Sequence, residues 1–290
     1  RGLQGRVQEA AAGVAALPTV QSAPGTVAFP SEEALTRLDA LRALMDTVQQ
    51  FDSAGPPLRL RFGLWRGAAL VDAARPVWFD GFRKQLFADA WTALNDSLKA
   101  LPDLPTANND YATTYGWLKA YLITTTTADS STADFLAPVL LRSWQRGLET
   151  DARVTELADR QFRYYATTLP VTNPYPRAAD AAVVAHARDF LSRFTGAEQI
   201  YVNMLGAANK QVPSIKIPQE PGVLTTTAEV AGAFSSAGAT FMSDAFRNAD
   251  RYFQGETWVV GDATAARSLD RDSVVSSLRL RYREDYERTW

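Results

Sequence analysis

Apolar residues recur along most of this chain at intervals of three and four. That spacing gathers side chains on one face of an α-helix, whereas a half-buried strand would alternate every second residue. Leu35, Leu38, Leu41, Leu44 and Val48 form the first stripe, led in by Pro30, Ser31, Glu32 and Glu33. Ser31 is placed to cap that helix, and the two glutamates suit the positive end of its dipole. Trp78, Phe82, Leu86, Trp91, Leu94 and Leu98 form a second stripe, after Pro76. Trp117, Leu118, Tyr121 and Leu122 form a third, and Phe135, Val139, Trp144 and Leu148 a fourth.

The second half continues the pattern. Val183, Val184, Ala187, Phe190, Leu191 and Phe194 share one face, and Ile200, Tyr201, Met204 and Leu205 extend it or start another helix. Phe234, Ala237, Phe241, Ala245, Phe246 and Ala249 make a further face, and Val274, Val275, Leu278, Tyr282 and Tyr286 the last, capped by Asp270 or Asp272. Prolines punctuate these segments at 56–57, 102–105, 170–176 and 213–221, where each removes an amide donor. The β-branched threonines 124–127 end one helix and start a loop. Residues 214–217 and 257–260 read as short extended pieces that could pair as a small sheet. The expected fold is mainly α: an elongated multi-helix bundle with a minor β element. Its two helical subdomains are expected at 1–170 and 171–290.

Composition narrows the function. With 290 residues and 46% apolar content, the chain can bury a sizeable core. A net charge of −2 without a long basic run gives no nucleic-acid footprint. Cysteine is absent, so disulfides, thiol catalysis and thiolate metal sites are excluded. With His186 the one histidine, no multi-imidazole zinc site can form within the chain. No apolar run approaches the roughly 20 residues that cross a bilayer, and the start shows no signal-peptide pattern. The chain reads as a soluble piece of a longer protein.

Sequence signatures of phosphate-binding loops and nucleophile elbows do not occur. Paired carboxylates stand at Asp129 with Asp134, Glu149 with Asp151, and Glu284 with Asp285. Their ordinary roles are helix caps and, for the last pair, a mixed-charge face among Arg279, Arg281, Arg283 and Arg288. His186 could serve as a general base, but on a helix it reads first as a packed or surface residue. Asn95 lies in a glycosylation sequon, on an expected helix. The seven tryptophans could line a ligand groove; at helical spacing they read as core. No catalytic, cofactor-binding or metal residue is expected.

Several segments, in order, resemble one family. Gly63-Leu64, Trp65, Gly67 and Leu70 look like a "G-L-x-x-G-x-x-L" entry to a helix, and Tyr115 with Trp117, Leu118, Lys119, Tyr121 and Leu122 is similar to "Y-x-x-L-K-x-Y-L". Phe135-Leu136 with Trp144, then Arg188 through Tyr201, follow in the same order. Val223-Leu224-Thr225, Phe234 with Gly238 and Phe241, Trp258 with Gly261, and Leu280-Arg281-Tyr282 with Asp285, Tyr286 and Trp290 complete it. Ala239 stands where an aromatic is common. Over about residues 60–290 the pattern resembles the IcmF-related region of the TssM/IcmF family of type VI secretion membrane subunits; the first 60 residues match only as generic helix.

The resemblance implies a structural role. In that family this region is periplasmic and follows membrane spans and a cytoplasmic domain that holds any nucleotide-binding motif. Implied partners are other copies in a ring-like complex, the inner-membrane subunit TssL, and the outer-membrane lipoprotein TssJ. The TssJ-binding β-sandwich is expected beyond Trp290. No cofactor, catalytic residue, nucleic acid or membrane insertion by this segment is implied. Tyr282, Tyr286 and Trp290, four apart, are expected to be core or a joint to a following domain. Truncating Trp258 or Tyr286, if fully buried, would cost about 3–5 kcal/mol. The residues leave two other readings open: a helical binding module unrelated to secretion, and a hydrolase using carboxylates or His186.

Overall fold

A computed structural model describes residues 2–20, 27–54, 67–106, 109–194, 196–216, 229–252, 256–261 and 271–290. In chain order the helices are α1 (Leu3–Ala15), α2 (Glu32–Ala54), α3 (Gly67–Phe82), α4 (Ala88–Lys99), α5 (Tyr111–Thr125) and α6 (Ala133–Gln145). They continue with α7 (Ala152–Thr168), α8 (Ala181–Ser192), α9 (Gly196–Gln211), α10 (Ser236–Arg247), α11 (Thr257–Val260) and α12 (Arg271–Thr289). Strands β1 (Ile215–Lys216) and β2 (Glu229–Val230) pair antiparallel, Ile215 opposite Val230. The protein is mainly α with one minor sheet, as the periodicity predicts.

The chain forms two compact units, residues 1–95 with 127–176, and residues 96–126 with 177–290. The expected break at 170/171 is contiguous; here 96–126, and α5 with it, belong with the second unit.

In the first unit, α1, α2 and α3 pack on one another, and α7 packs on α2 and α6. Ser31 caps α2, its hydroxyl accepting from the Ala34 amide at 3.2 Å. Leu35, Leu38, Leu41 and Val48 are fully buried, with Met45 in the place expected of Leu44, which is half-buried. Between α3 and α4, Arg83–Phe87 form a π-helical turn. Its extra residue lets Gln85, Leu86 and Phe87 all face inward. The stripe shifts phase there, leaving Trp91 half-buried while Leu94 and Leu98 stay buried. Pro76 lies inside α3, not before it. Pro76 and Asp72 are both exposed, so water can take the Asp72 carbonyl that the proline cannot donate to.

Trp78, Phe82, Phe87, Phe162, Tyr165 and Tyr175 make an aromatic core, with Trp78 stacked on Phe82 at 4.9 Å. Buried polar groups are paired here: Trp78 Nε1 donates to Gln161 Oε1 at 3.1 Å, and Gln161 Nε2 donates to Asp39 Oδ1 at 2.8 Å. Asp151 caps α7, accepting from the amides of Arg153 and Val154. The stripe expected to reach Leu148 stops earlier. Arg146 takes φ 52° and ends α6, so Leu148 lies past the turn and is exposed.

In the second unit, α5 packs against α8, α9 and α11. It is buried nearly all round, as a central helix must be. Thr124 and Thr125 close it by donating to the carbonyls of Ala120 at 2.9 Å and Tyr121 at 2.7 Å. A second core joins Ile200, Tyr201, Met204 and Ala208 of α9, Ala233, then Met242, Ala245 and Phe246 of α10, and Leu278 of α12.

Two expectations are corrected in this unit, and a third, core or a joint for Tyr282, Tyr286 and Trp290, is narrowed. Residues 257–260 form a helical turn, not an extended piece, because Gly261 and Arg188 close it; β1 pairs instead with Glu229–Val230. Ala237 is exposed, its place taken by Gly238 and Met242 on the buried face. Trp290 is 60% exposed and Tyr286 half-buried, so that face is not core throughout. Pro56, Pro57, Trp65, Val223, Leu224, Thr225 and Asp270 lie outside the described residues.

Candidate functional site

In the second unit two of the sequence-selected positions, Lys119 and through it Trp258, meet at one carboxylate, Glu256, which precedes α11. Lys119 Nζ of α5 donates to Glu256 Oε2 at 2.5 Å, and the Tyr115 hydroxyl, one turn earlier, donates to the same oxygen. Lys210 Nζ of α9 donates to Oε1 at 2.7 Å. The Lys119 ammonium also lies 5.9 Å from the Trp258 ring centre and 6.0 Å from that of Tyr115. Both aromatic faces attract the cation.

Electrostatics favour an ionised Glu256. Burial pushes its carboxyl up, but hydrogen bonds from Lys119, Lys210 and Tyr115 outweigh burial and hold it at about 2. Burial pulls the Lys119 amine below its usual value, and Glu256 pulls it back. The Tyr115 phenol is pushed up by burial and by the neighbouring carboxylate. The desolvation cost thus falls mainly on Lys119, whose side chain is 9% exposed, and Glu256 is what offsets it.

Arg188 of α8 fixes the other end of α11. Its Nε donates to the Val259 carbonyl and its Nη2 to the Trp258 carbonyl, each at 2.8 Å. A four-residue helix leaves its last carbonyls without amide partners, and the guanidinium fork takes two of them. Gly261 then turns the chain at φ 77°, where a Cβ would meet Arg188 Cδ at 3.4 Å. Tyr121 of α5 accepts from the Asp180 amide at 3.0 Å, beside the cap of α8. Lys119, Tyr121, Arg188, Trp258 and Gly261 therefore tie α5, α8 and α11 together, and Lys210 adds α9.

A second group lies where α9, α10 and α12 meet. Tyr201 donates to Asp285 at 2.6 Å, under the Arg281 guanidinium at 4.9 Å from its ring centre. Tyr282 donates to the Ala233 carbonyl at 2.7 Å and stacks on Phe234 at 5.7 Å. Gly238 permits the close approach of α10 to the preceding turn, because a Cβ there would fall 2.0 Å from the Gly232 carbonyl oxygen. Phe241 is half-buried beside this core, and Trp290 Nε1 donates to the Phe234 carbonyl at 2.8 Å. Asp285 is thus half-buried and engaged, unlike its exposed neighbour Glu284, which corrects the reading of the pair as a solvated face.

The other selected positions stand apart. Gly67 is buried at the start of α3, Trp144 is fully buried against Phe29 at 4.9 Å, and Trp117 is half-buried on α5. Three of the candidate chemical groups are also engaged. His186 Nε2 lies 2.9 Å from the Leu101 carbonyl, Asp134 pairs with Arg163 at 3.0 Å, and Asp151 is a helix cap. Among the described residues no group of His, Cys, Asp or Glu could hold a metal ion, and no helix is long and apolar enough to cross a membrane.

Glu256 and Lys210 are absent from the sequence-selected positions, whereas Tyr115 opens one of the motifs quoted above. Glu256 stands 137 residues from Lys119 and 46 from Lys210, so no spacing signals the cluster. Adjacency to the Trp258 segment is the one available hint. As for chemistry, three donors already occupy the carboxylate, so the arrangement fits fastening of helices better than proton transfer to a substrate.

Residues 35–290 match the family described as "IcmF-related: Intracellular multiplication and human macrophage-killing". No curated protein and no solved structure matches the chain significantly.

Proposed function

The chain belongs to the IcmF-related family, and on that premise we propose that it is a non-catalytic structural segment of a type VI secretion membrane complex. In this reading it lies in the periplasm and links an inner-membrane anchor to an outer-membrane lipoprotein. Its neighbours are other copies of itself, the TssL subunit and, through a site elsewhere in the protein, TssJ. Family membership supports a role in an IcmF-associated secretion system.

One observation carries the structural reading. The family-motif side chains Lys119, Arg188 and Trp258 are spent on one another and on backbone carbonyls around Glu256. A catalytic centre would hold its charged groups ready for a substrate. Here the charges fasten four helices that are far apart in sequence.

The location can be tested without disturbing the core. The chain has no cysteine, and Val171 is 86% exposed. In bacteria making the full-length protein, freed of any cysteine outside these residues and carrying Val171→Cys, a thiol reagent that passes the outer but not the inner membrane should label it in intact cells. Labelling only after the inner membrane is broken would contradict a periplasmic position.

A further inference from the structure

We propose that α12 is a strap that opens as a unit while the rest of its compact unit stays folded. The inference rests on how α12 is held, and it does not depend on the proposed function. Among the described side chains of this 19-residue helix, Leu278 alone is buried. Val274, Val275 and Tyr282 pack only partly against the core of α9 and α10. By contrast α5, with 15 residues, has buried side chains from Tyr111 to Thr125 around its whole circumference.

The other described attachments of α12 lie along its edge. They include the Tyr201–Asp285 bond at 2.6 Å, the Tyr282–Ala233 bond at 2.7 Å, the Trp290–Phe234 bond at 2.8 Å and the ring contacts of Tyr282 with Phe234 and Phe246. Water can replace the three hydrogen bonds when the helix lifts, whereas α5 would have to surrender a far larger apolar surface. Few buried apolar contacts with solvent-near hydrogen bonds mark the segments of a fold that open locally. Ion pairs within α12, Arg283 with Glu287 at 2.9 Å and Arg288 with Asp285 at 3.2 Å, do not depend on docking. Opening uncovers Tyr201 and Phe246, whose rings Arg281 and Tyr282 of α12 otherwise cover.

Native-state hydrogen exchange on the chain tests this. Amides in the middle of α12 should exchange at least about 100-fold faster than those of α5, at a rate that depends weakly on added urea. Tyr201→Phe should speed exchange in α12 further and leave α5 unchanged. Two results would overturn the strap. One is α12 exchanging with the same opening equilibrium and urea dependence as α5. The other is α12 without protection, since a strap must also close.

Discussion

Lys119 and Glu256 meet at 2.5 Å across 137 residues of sequence, with the lysine nearly buried and the carboxylate held ionised. The pair joins the central helix α5 to α11, and through Lys210 to α9. Removing one partner leaves the other charge desolvated, which costs far more than the pair itself contributes. Glu256→Ala should therefore destabilise the chain by about 3 kcal/mol, read as a lowered urea midpoint. A change under about 0.5 kcal/mol would mean that water already solvates Lys119.

The same pair sets a pH dependence. Glu256 ionises at about 2 in the folded chain against an ordinary 4.5, so the unfolded state takes the proton first as pH falls. Its contribution is full above about 4.5 and is lost as pH drops towards 2. The loss is on the order of 3 kcal/mol across that window. In Glu256→Gln this component should vanish, flattening the slope of stability against pH there. An unchanged slope would assign the acid sensitivity to other carboxylates.

Glycines at two positions should respond with opposite sign. At Gly238 an added Cβ would fall within 2.6 Å of backbone atoms of Gly232 and Ala233. Gly238→Ala should cost about 2 kcal/mol or more. Gly206 lies in the interior of α9, is exposed, and has nothing within 4 Å of a Cβ. Gly206→Ala should stabilise by about 0.5–1 kcal/mol. Thermal melts of the two variants should move in opposite directions.

Tryptophans should separate by burial. Trp144 is 0% exposed, so Trp144→Ala should cost about 3–5 kcal/mol. Trp258 is half-buried, and its truncation should cost roughly half as much, below what a fully buried indole would lose. Equal losses in calorimetry would place Trp258 in the core after all.

Much of this fold is written in local spacing. Leu35 to Val48 and Val183 to Leu191 are buried faces that a 3.6-residue period defines, and Ser31 caps as its hydroxyl and position require. What spacing hides is where a helix wraps through a phase change or borrows stability from afar. The π turn at Arg83–Phe87 is invisible to a fixed period. Helix α7 buries Leu157, Phe162 and Tyr165 at helical spacing with charged residues on its other face, so that stripe is legible in the sequence although none is read there above. Residues 257–260 carry β-branched side chains that favour extension, but Arg188, some 70 residues away, takes their carbonyls and makes a helical turn. The Glu256 cluster is illegible for the same reason: its members share no local pattern, only a meeting point made by the packing of α5, α9 and α11.

The central claim is that this cluster fastens helices and does no chemistry. Replacing the buried ion pair and its tyrosine together, by Lys119→Met with Glu256→Leu and Tyr115→Phe, removes the Lys119 and Glu256 charges while keeping apolar volume, and leaves Lys210, 60% exposed, to water. Such exchanges of buried ion pairs are often neutral in stability. The decisive measurement, on the proposed role, is type VI secretion by cells carrying the triple variant, alongside its urea midpoint. The account expects stability and secretion to recover together, where Glu256→Ala alone loses both. Recovered stability with secretion still absent would contradict it, because the ions would then be needed for something other than holding the fold.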